Sequence, residues 1–149
     1  MQKEILKKGI KKNYGKIALE GNVSNTCCSP SSSQEICCDK NNISNEQISS
    51  MIGYNITELK SIPEESIIGL ECGAPLNFVD IKKGVILVDL GSGAGIDAFL
   101  TIKLVVNEGK IIGIEMTDEM LEKARKVAIA NNYKNIVFRK GDIEEKISY

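Results

Sequence analysis

The 149-residue sequence has no histidine, no tryptophan and only three prolines, and aromatic residues make up 5% of it. Without histidine, imidazole acid-base chemistry and imidazole metal ligation are unavailable within this chain. No apolar run approaches the roughly 18 residues that cross a bilayer, and the opening MQKEILKKGIKK lacks the continuous apolar stretch of a signal peptide. A dominant charge is missing too: Lys and Arg number 19, Asp and Glu 20. That balance provides no basic field for nucleic acid, and no aromatic-studded basic patch interrupts it. The expectation is a soluble, cytoplasmic monomer that works on a small molecule, with neither a membrane nor a nucleic acid as partner. A chain of this length, 42% hydrophobic, buries one core rather than two.

What is present changes character along the chain. Residues 3 to 17 place Leu6, Ile10, Tyr14 and Ile17 at helical spacing, with Lys3, Lys7, Lys8, Lys11 and Lys12 on the other faces. The pattern predicts a helix that docks by its apolar stripe and leaves its lysines in water. Ser44 with Gln47, and Asn55 with Glu58, have the spacing of capping boxes, and Pro63 with Glu64 and Glu65 suits a helical first turn. After DIKKG the signal alternates: VILVDL (85–90) reads as a buried strand, 95–106 as a helix, and KIIGIE (110–115) as a second strand. A helix capped by Thr117 follows, with Met120, Leu121, Ala124, Val127 and Ala128 as its stripe, and NIVFRK (135–140) is a third strand. This order predicts an α/β fold, three parallel strands with helices, over 81–149, preceded by a helical, Cys-containing region over 1–80. Because the sequence ends shortly after the third strand, one side of the first strand is left unpaired. The expectation is an apparently truncated form of a longer domain.

LVDLGSGAG (87–95) joins the first strand to its helix. Glycines at that joint let a ligand approach bare backbone at the carboxyl edge of a parallel sheet. A phosphate P-loop needs Lys-Ser or Lys-Thr after its last glycine, where this chain has Ile96-Asp97. A dinucleotide fingerprint needs a third glycine or alanine where this chain has Ile96. What remains is acid-x-G-x-G-x-G: Asp89, Gly91, Gly93 and Gly95, with Ser92 inside the loop. Glu115, ending the second strand about 20 residues after Gly95, is placed to accept ribose hydroxyls.

These residues resemble the first motif of the class I S-adenosylmethionine-dependent methyltransferases, and GDIEE after the third strand is similar to that family's adenine-side segment. S-adenosylmethionine carries no phosphate, so the loop would meet its methionine part and Asp89 its ammonium. The resemblance implies Asp142 near the exocyclic amine of adenine and Ile143 against the ring. YGKIA, GYN with ELKSIPEESIIGLECGAP, LVDLGSGAGID and IIGIEMTDEMLEKARKVA together resemble the arsenite methyltransferases. The fold implied is the N-terminal half of a Rossmann-like methyltransferase sheet. The implied activity is methyl transfer from S-adenosylmethionine to thiolate-bound trivalent arsenic, with arsenite or its thiol conjugates as substrate. A thiol reductant, glutathione or thioredoxin, is implied for turnover.

In that resemblance Cys72 handles arsenic, Tyr54 packs by the cofactor and Met116 lies against the adenosine. Glu71 stands where the family has glycine and Ala74 where it has asparagine, and two further arsenic-binding cysteines of the family fall beyond the third strand. Read without the family, Cys72 is a core cysteine. The pairs Cys27-Cys28 and Cys37-Cys38 sit in a Ser/Asn-rich, aperiodic segment and keep three readings: metalloid-capturing thiols, unliganded surface thiols, or a zinc site. Zinc prefers C-x₂₋₄-C pairs whose sulfurs converge. Two alternatives to the arsenic activity also stand: a class I methyltransferase for another small molecule, and a non-catalytic remnant that binds cofactor or metalloid.

Overall fold

The computed structural model describes residues 2–20, 43–106 and 108–145. Its elements are α1 (Gln2–Glu20), α2 (Asn45–Ile52), α3 (Ile56–Leu59), two 3₁₀ turns (Glu64–Ser66 and Pro75–Phe78), β1 (Ile86–Leu90), α4 (Ile96–Val105), β2 (Lys110–Glu115), α5 (Asp118–Ala130) and β3 (Ile136–Lys140). The strands form one parallel sheet in the order β1-β2-β3. This is the α/β half-sheet expected from the alternation of apolar runs and helical stripes.

Local chemistry sets the helix starts. Ser44 accepts the amide of Gln47 and Gln47 returns a bond to the amide of Ser44, so the capping box opens α2. Asn55 caps α3 by accepting from the Thr57 amide. Thr117 holds the N-cap position of α5 without a side-chain capping bond. The Glu115 carboxylate accepts the Thr117 amide at 2.7 Å instead.

Register places Leu87, Asp89, Ile111, Gly113, Ile136 and Phe138 on one face of the sheet. Against that face pack Phe99 and Ile102 of α4 and Leu121, Ala124 and Ala128 of α5. The rings of Phe99 and Phe138 lie 5.7 Å apart and those of Phe99 and Tyr133 5.0 Å apart, distances at which tilted pairs attract. Tyr54, Leu59, Ile62, Ile67 and Ala74 join the same cluster, so the residues before and after position 80 share one core.

Two expectations are corrected. VILVDL is not buried on both faces: Ile86 and Leu90 are 68% and 56% exposed, on the face of β1 opposite Leu87 and Asp89. The docking face of α1 is also rotated from the predicted stripe. Leu6 and Tyr14 are 64% and 38% exposed, while Gly15, Ile17 and Ala18 are buried and Lys7, Ile10 and Lys11 are half-buried. Gly15 lies at the contact with α5, where a Cβ would stand 2.7 Å from the end of the Glu119 side chain. With α1 docked by this face, Lys7 and Lys11 are half-buried.

Candidate functional site

The carboxyl edge of the sheet gathers most of the residues singled out in the sequence. Gly91 and Ser92 both donate to the Ile114 carbonyl, at 2.8 and 3.0 Å, which fastens the loop to the end of β2. Gly91, Gly93 and Gly95 have φ of 81°, 52° and 97°, a region that favours glycine. An added Cβ at Gly91 or Gly93 would meet nothing within 4 Å. The loop therefore presents bare backbone to open space.

Three carboxylates stand beneath and beside this loop. Glu115 is buried, and its two oxygens accept the amides of Gly93, at 3.0 Å, and Thr117. It is thus pinned to the loop by backbone donors, and each oxygen keeps a lone pair for a hydroxyl. Asp89 is largely covered, and its Oδ2 has no hydrogen-bond partner. Burial, then the charges of Asp97 and Glu115, push its pKa up to about 7. Asp97, in the first turn of α4, accepts the Tyr54 hydroxyl at 3.0 Å. Its pKa is pushed up to about 6 by burial, against the Tyr54 bond and with the Glu71 charge adding. Burial first, then the Asp97 charge, raises Tyr54.

Asp97 and Glu71 were not singled out as site residues in the sequence. Glu71 accepts the Ser49 hydroxyl at 2.8 Å through Oε2 and leaves Oε1 buried without a partner. The signal for Asp97 was its place two residues after the loop. For Glu71 it was the departure from the family pattern next to Cys72. Ser92 is buried with its Oγ unpartnered. An edge so rich in uncompensated carboxylate suits a ligand that brings positive charge.

Cys72 is exposed, in contrast to the core position its residue type alone suggests. It lies between Glu71 and the buried Ala74, which shares a cluster with Tyr54. Met116 is half-buried and Ile143 is exposed. Asp142 is held by Lys7, at 2.5 Å. Cys27, Cys28, Cys37 and Cys38 lie outside the described residues, and no group of three metal-ligating side chains occurs among the described ones. Two concavities of about 380 Å³, one between α1 and α5 and one beside the start of α2, include none of Asp89, Glu115 or Asp142. No helix among the described residues is long and apolar enough to cross a membrane.

Parallel strands alternating with helices, with a glycine loop between the first strand and its helix, form a Rossmann-like arrangement. Residues 81–149 match the family described as a methyltransferase domain. The chain is 34% identical over 139 residues to the arsenite methyltransferase of Halobacterium salinarum, covering 90% of this chain and 34% of that one. It is also 31% identical over 91 residues to protein-L-isoaspartate O-methyltransferase 2 of Archaeoglobus fulgidus, covering 61% of this chain and 38% of the relative. Among solved structures, an arsenic(III) S-adenosylmethionine methyltransferase from Chlamydomonas reinhardtii superposes with a TM-score of 0.44 at 30% identity, over 65% of this chain and 32% of that one. The chain thus spans about a third of the length of the curated relatives it matches.

Proposed function

We propose that the carboxyl edge of β1, β2 and β3 binds S-adenosylmethionine and that the activity served is methylation of trivalent arsenic held by Cys72. One observation carries the reading. The Asp89 carboxylate has an orphaned oxygen beside a glycine loop with open space above Gly91 and Gly93, in a chain similar to an arsenite methyltransferase over 90% of its length. S-adenosylmethionine brings an ammonium for Asp89, ribose hydroxyls for Glu115 and no phosphate. Gly91, Ser92, Gly93 and Gly95 would cradle its methionine part, with Tyr54 beside them. Met116, Asp142 and Ile143 would border its adenosine. When bound, this cofactor supplies an electrophilic methyl group on a sulfonium.

The protein's own work in this reading is positioning and exclusion of water, since arsenic brings its own lone pair and no proton need be moved by a side chain. Soft trivalent arsenic binds thiolates, and Cys72 is exposed at a bend where such a ligand can enter. Cys27, Cys28, Cys37 and Cys38 would supply further thiolates, and a thiol reductant would keep all five reduced. The substrate is arsenite or its thiol conjugate, and the setting a cytoplasmic monomer.

The test is to compare the chain with its Cys72→Ser variant in thiol-containing buffer. The variant should bind S-adenosylmethionine as the parent does by calorimetry, while its retention of arsenite in equilibrium dialysis falls by at least about tenfold, the equivalent of about 1.4 kcal/mol. Unchanged arsenite retention would remove Cys72 from the site. Failure of the folded parent to bind S-adenosylmethionine would sink the cofactor reading itself.

A further inference from the structure

We propose that Lys7 of α1 is a positioning residue for the cofactor, acting through Asp142; this rests on the reading of the carboxyl edge as an S-adenosylmethionine site. The turn after β3 carries Asp142, Glu144 and Glu145 within four residues. Like charges so close repel, and the turn's own ties are few. Glu144 donates its amide to Asp142 Oδ1 at 3.0 Å, Glu145 donates to the Asp142 carbonyl at 2.9 Å, and Gly141 donates to the Glu115 carbonyl at 3.0 Å.

Lys7 supplies the missing charge. Its Nζ stands 2.5 Å from Asp142 Oδ2 and 2.7 Å from Glu144 Oε2, and Lys3 adds a contact to Glu144 at 3.0 Å. The side chains of Lys7 and Asp142 are only 23% and 12% exposed, so water does not dilute this pair as it does an ordinary surface ion pair. These bonds, with the charge of Lys11 adding, hold the Asp142 carboxyl below the usual carboxylate range.

The placement of Lys7 is itself fixed by the rest of α1. Gly15 lies against Glu119, Lys123 donates to the Ala18 carbonyl at 3.3 Å, and Ala18 packs in one cluster with Ala94 of the glycine loop and Met120 of α5. One helix thus spans from the glycine loop to the turn after β3. Its consequence is orientation. With Oδ1 taking the Glu144 amide and Oδ2 taking Lys7, the carboxylate cannot swing, and its remaining lone pairs are acceptors only. Such a group favours a 6-amino purine, which donates, over a 6-oxo purine, which presents an acceptor.

The experiment measures binding of S-adenosylhomocysteine and its 6-oxo counterpart, S-inosylhomocysteine, to the 149-residue chain and to Lys7→Met and Lys7→Arg. The parent should prefer the 6-amino ligand by about tenfold or more. Lys7→Met should lose most of that preference by weakening the 6-amino ligand alone, and Lys7→Arg should restore it. Should Lys7→Met fail to fold, Lys7→Gln takes its place, with the same loss of preference expected. Equal weakening of both ligands, which a purely structural role would give, or tighter binding in Lys7→Met, overturns the proposal while leaving the site reading intact. In Lys7→Gln an unchanged preference overturns it. No binding of either ligand by the folded parent overturns the site reading and the proposal together.

Discussion

Asp89→Asn will make the ligand-free chain more stable above pH 7 and will at the same time cost it the cofactor. The acid at position 89 ordinarily titrates near 3.8 and is pushed up to about 7 here, by burial first and by the Asp97 and Glu115 charges second. Its folded-state pKa is therefore raised, so between these values the folded chain holds a proton that the unfolded chain has released. Stability falls as pH rises through that window, by on the order of 4 kcal/mol in total. Asp97, raised to about 6, adds a loss of the same sign that is complete at lower pH. Asparagine keeps the shape, removes the charge and so should remove the Asp89 part of the slope. Urea unfolding at pH 5 and pH 8 measures it: the variant should exceed the parent by about 1.5 kcal/mol at the lower pH and by about 4 kcal/mol at the higher. Equal losses of stability in both proteins would mean that Asp89 is not the strained group. Calorimetry at pH 8 should show affinity for S-adenosylmethionine reduced by at least about tenfold in the variant, because the ammonium loses its counter-charge. A residue that destabilises the empty protein and favours a cationic ligand is the usual compromise of a binding site.

That compromise could be read only in part from the sequence. The acid-x-G-x-G-x-G spacing and a carboxylate ending the next strand placed Asp89, Gly91, Gly93 and Glu115 at one edge, because strand and turn signals are local. The stripe Met120, Leu121, Ala124, Val127 and Ala128 was legible for the same reason, and all five residues are buried. What escaped depends on neighbours far away in the chain. Ile86 and Leu90 belong to an apolar run, yet whether they are covered depends on which elements pack on the outer face. Lys7 looked like one more solvated lysine, and the docking of α1 brings it to Asp142, a separation of 135 residues. Asp97 and Tyr54 likewise meet across 43 residues. Helical periodicity correctly placed a helix near the N-terminus but misjudged its inner face, which centres on Gly15, Ile17 and Ala18.

The same distinction between local pattern and packed neighbours separates the three loop glycines, which look alike in sequence. Gly95→Ala should be the costliest single substitution in the motif. Its backbone has φ of 97°, which an L side chain adopts only with strain, and the new Cβ would stand 2.7 Å from Phe138 Cζ and 2.9 Å from Phe99 Cε2. Both rings belong to the central aromatic cluster and have little room to retreat. Strain and overpacking together should destabilise the chain by about 3 kcal/mol or more. Gly93→Ala has the strain without the collision, since nothing lies within 4 Å of its Cβ, and should cost only about 1–2 kcal/mol. Its methyl group would instead stand in the space assigned to the cofactor, so S-adenosylmethionine affinity should fall by at least about tenfold in a chain that still folds. Urea unfolding and calorimetry on the two variants separate these effects. A Gly95→Ala chain as stable as its parent would show that the aromatic cluster yields. A Gly93→Ala chain that binds S-adenosylmethionine normally would show that the ligand does not approach the loop from its open side. If both outcomes come as expected, one glycine of the motif serves the core and another serves the ligand, and their common spacing reflects two separate constraints at one turn.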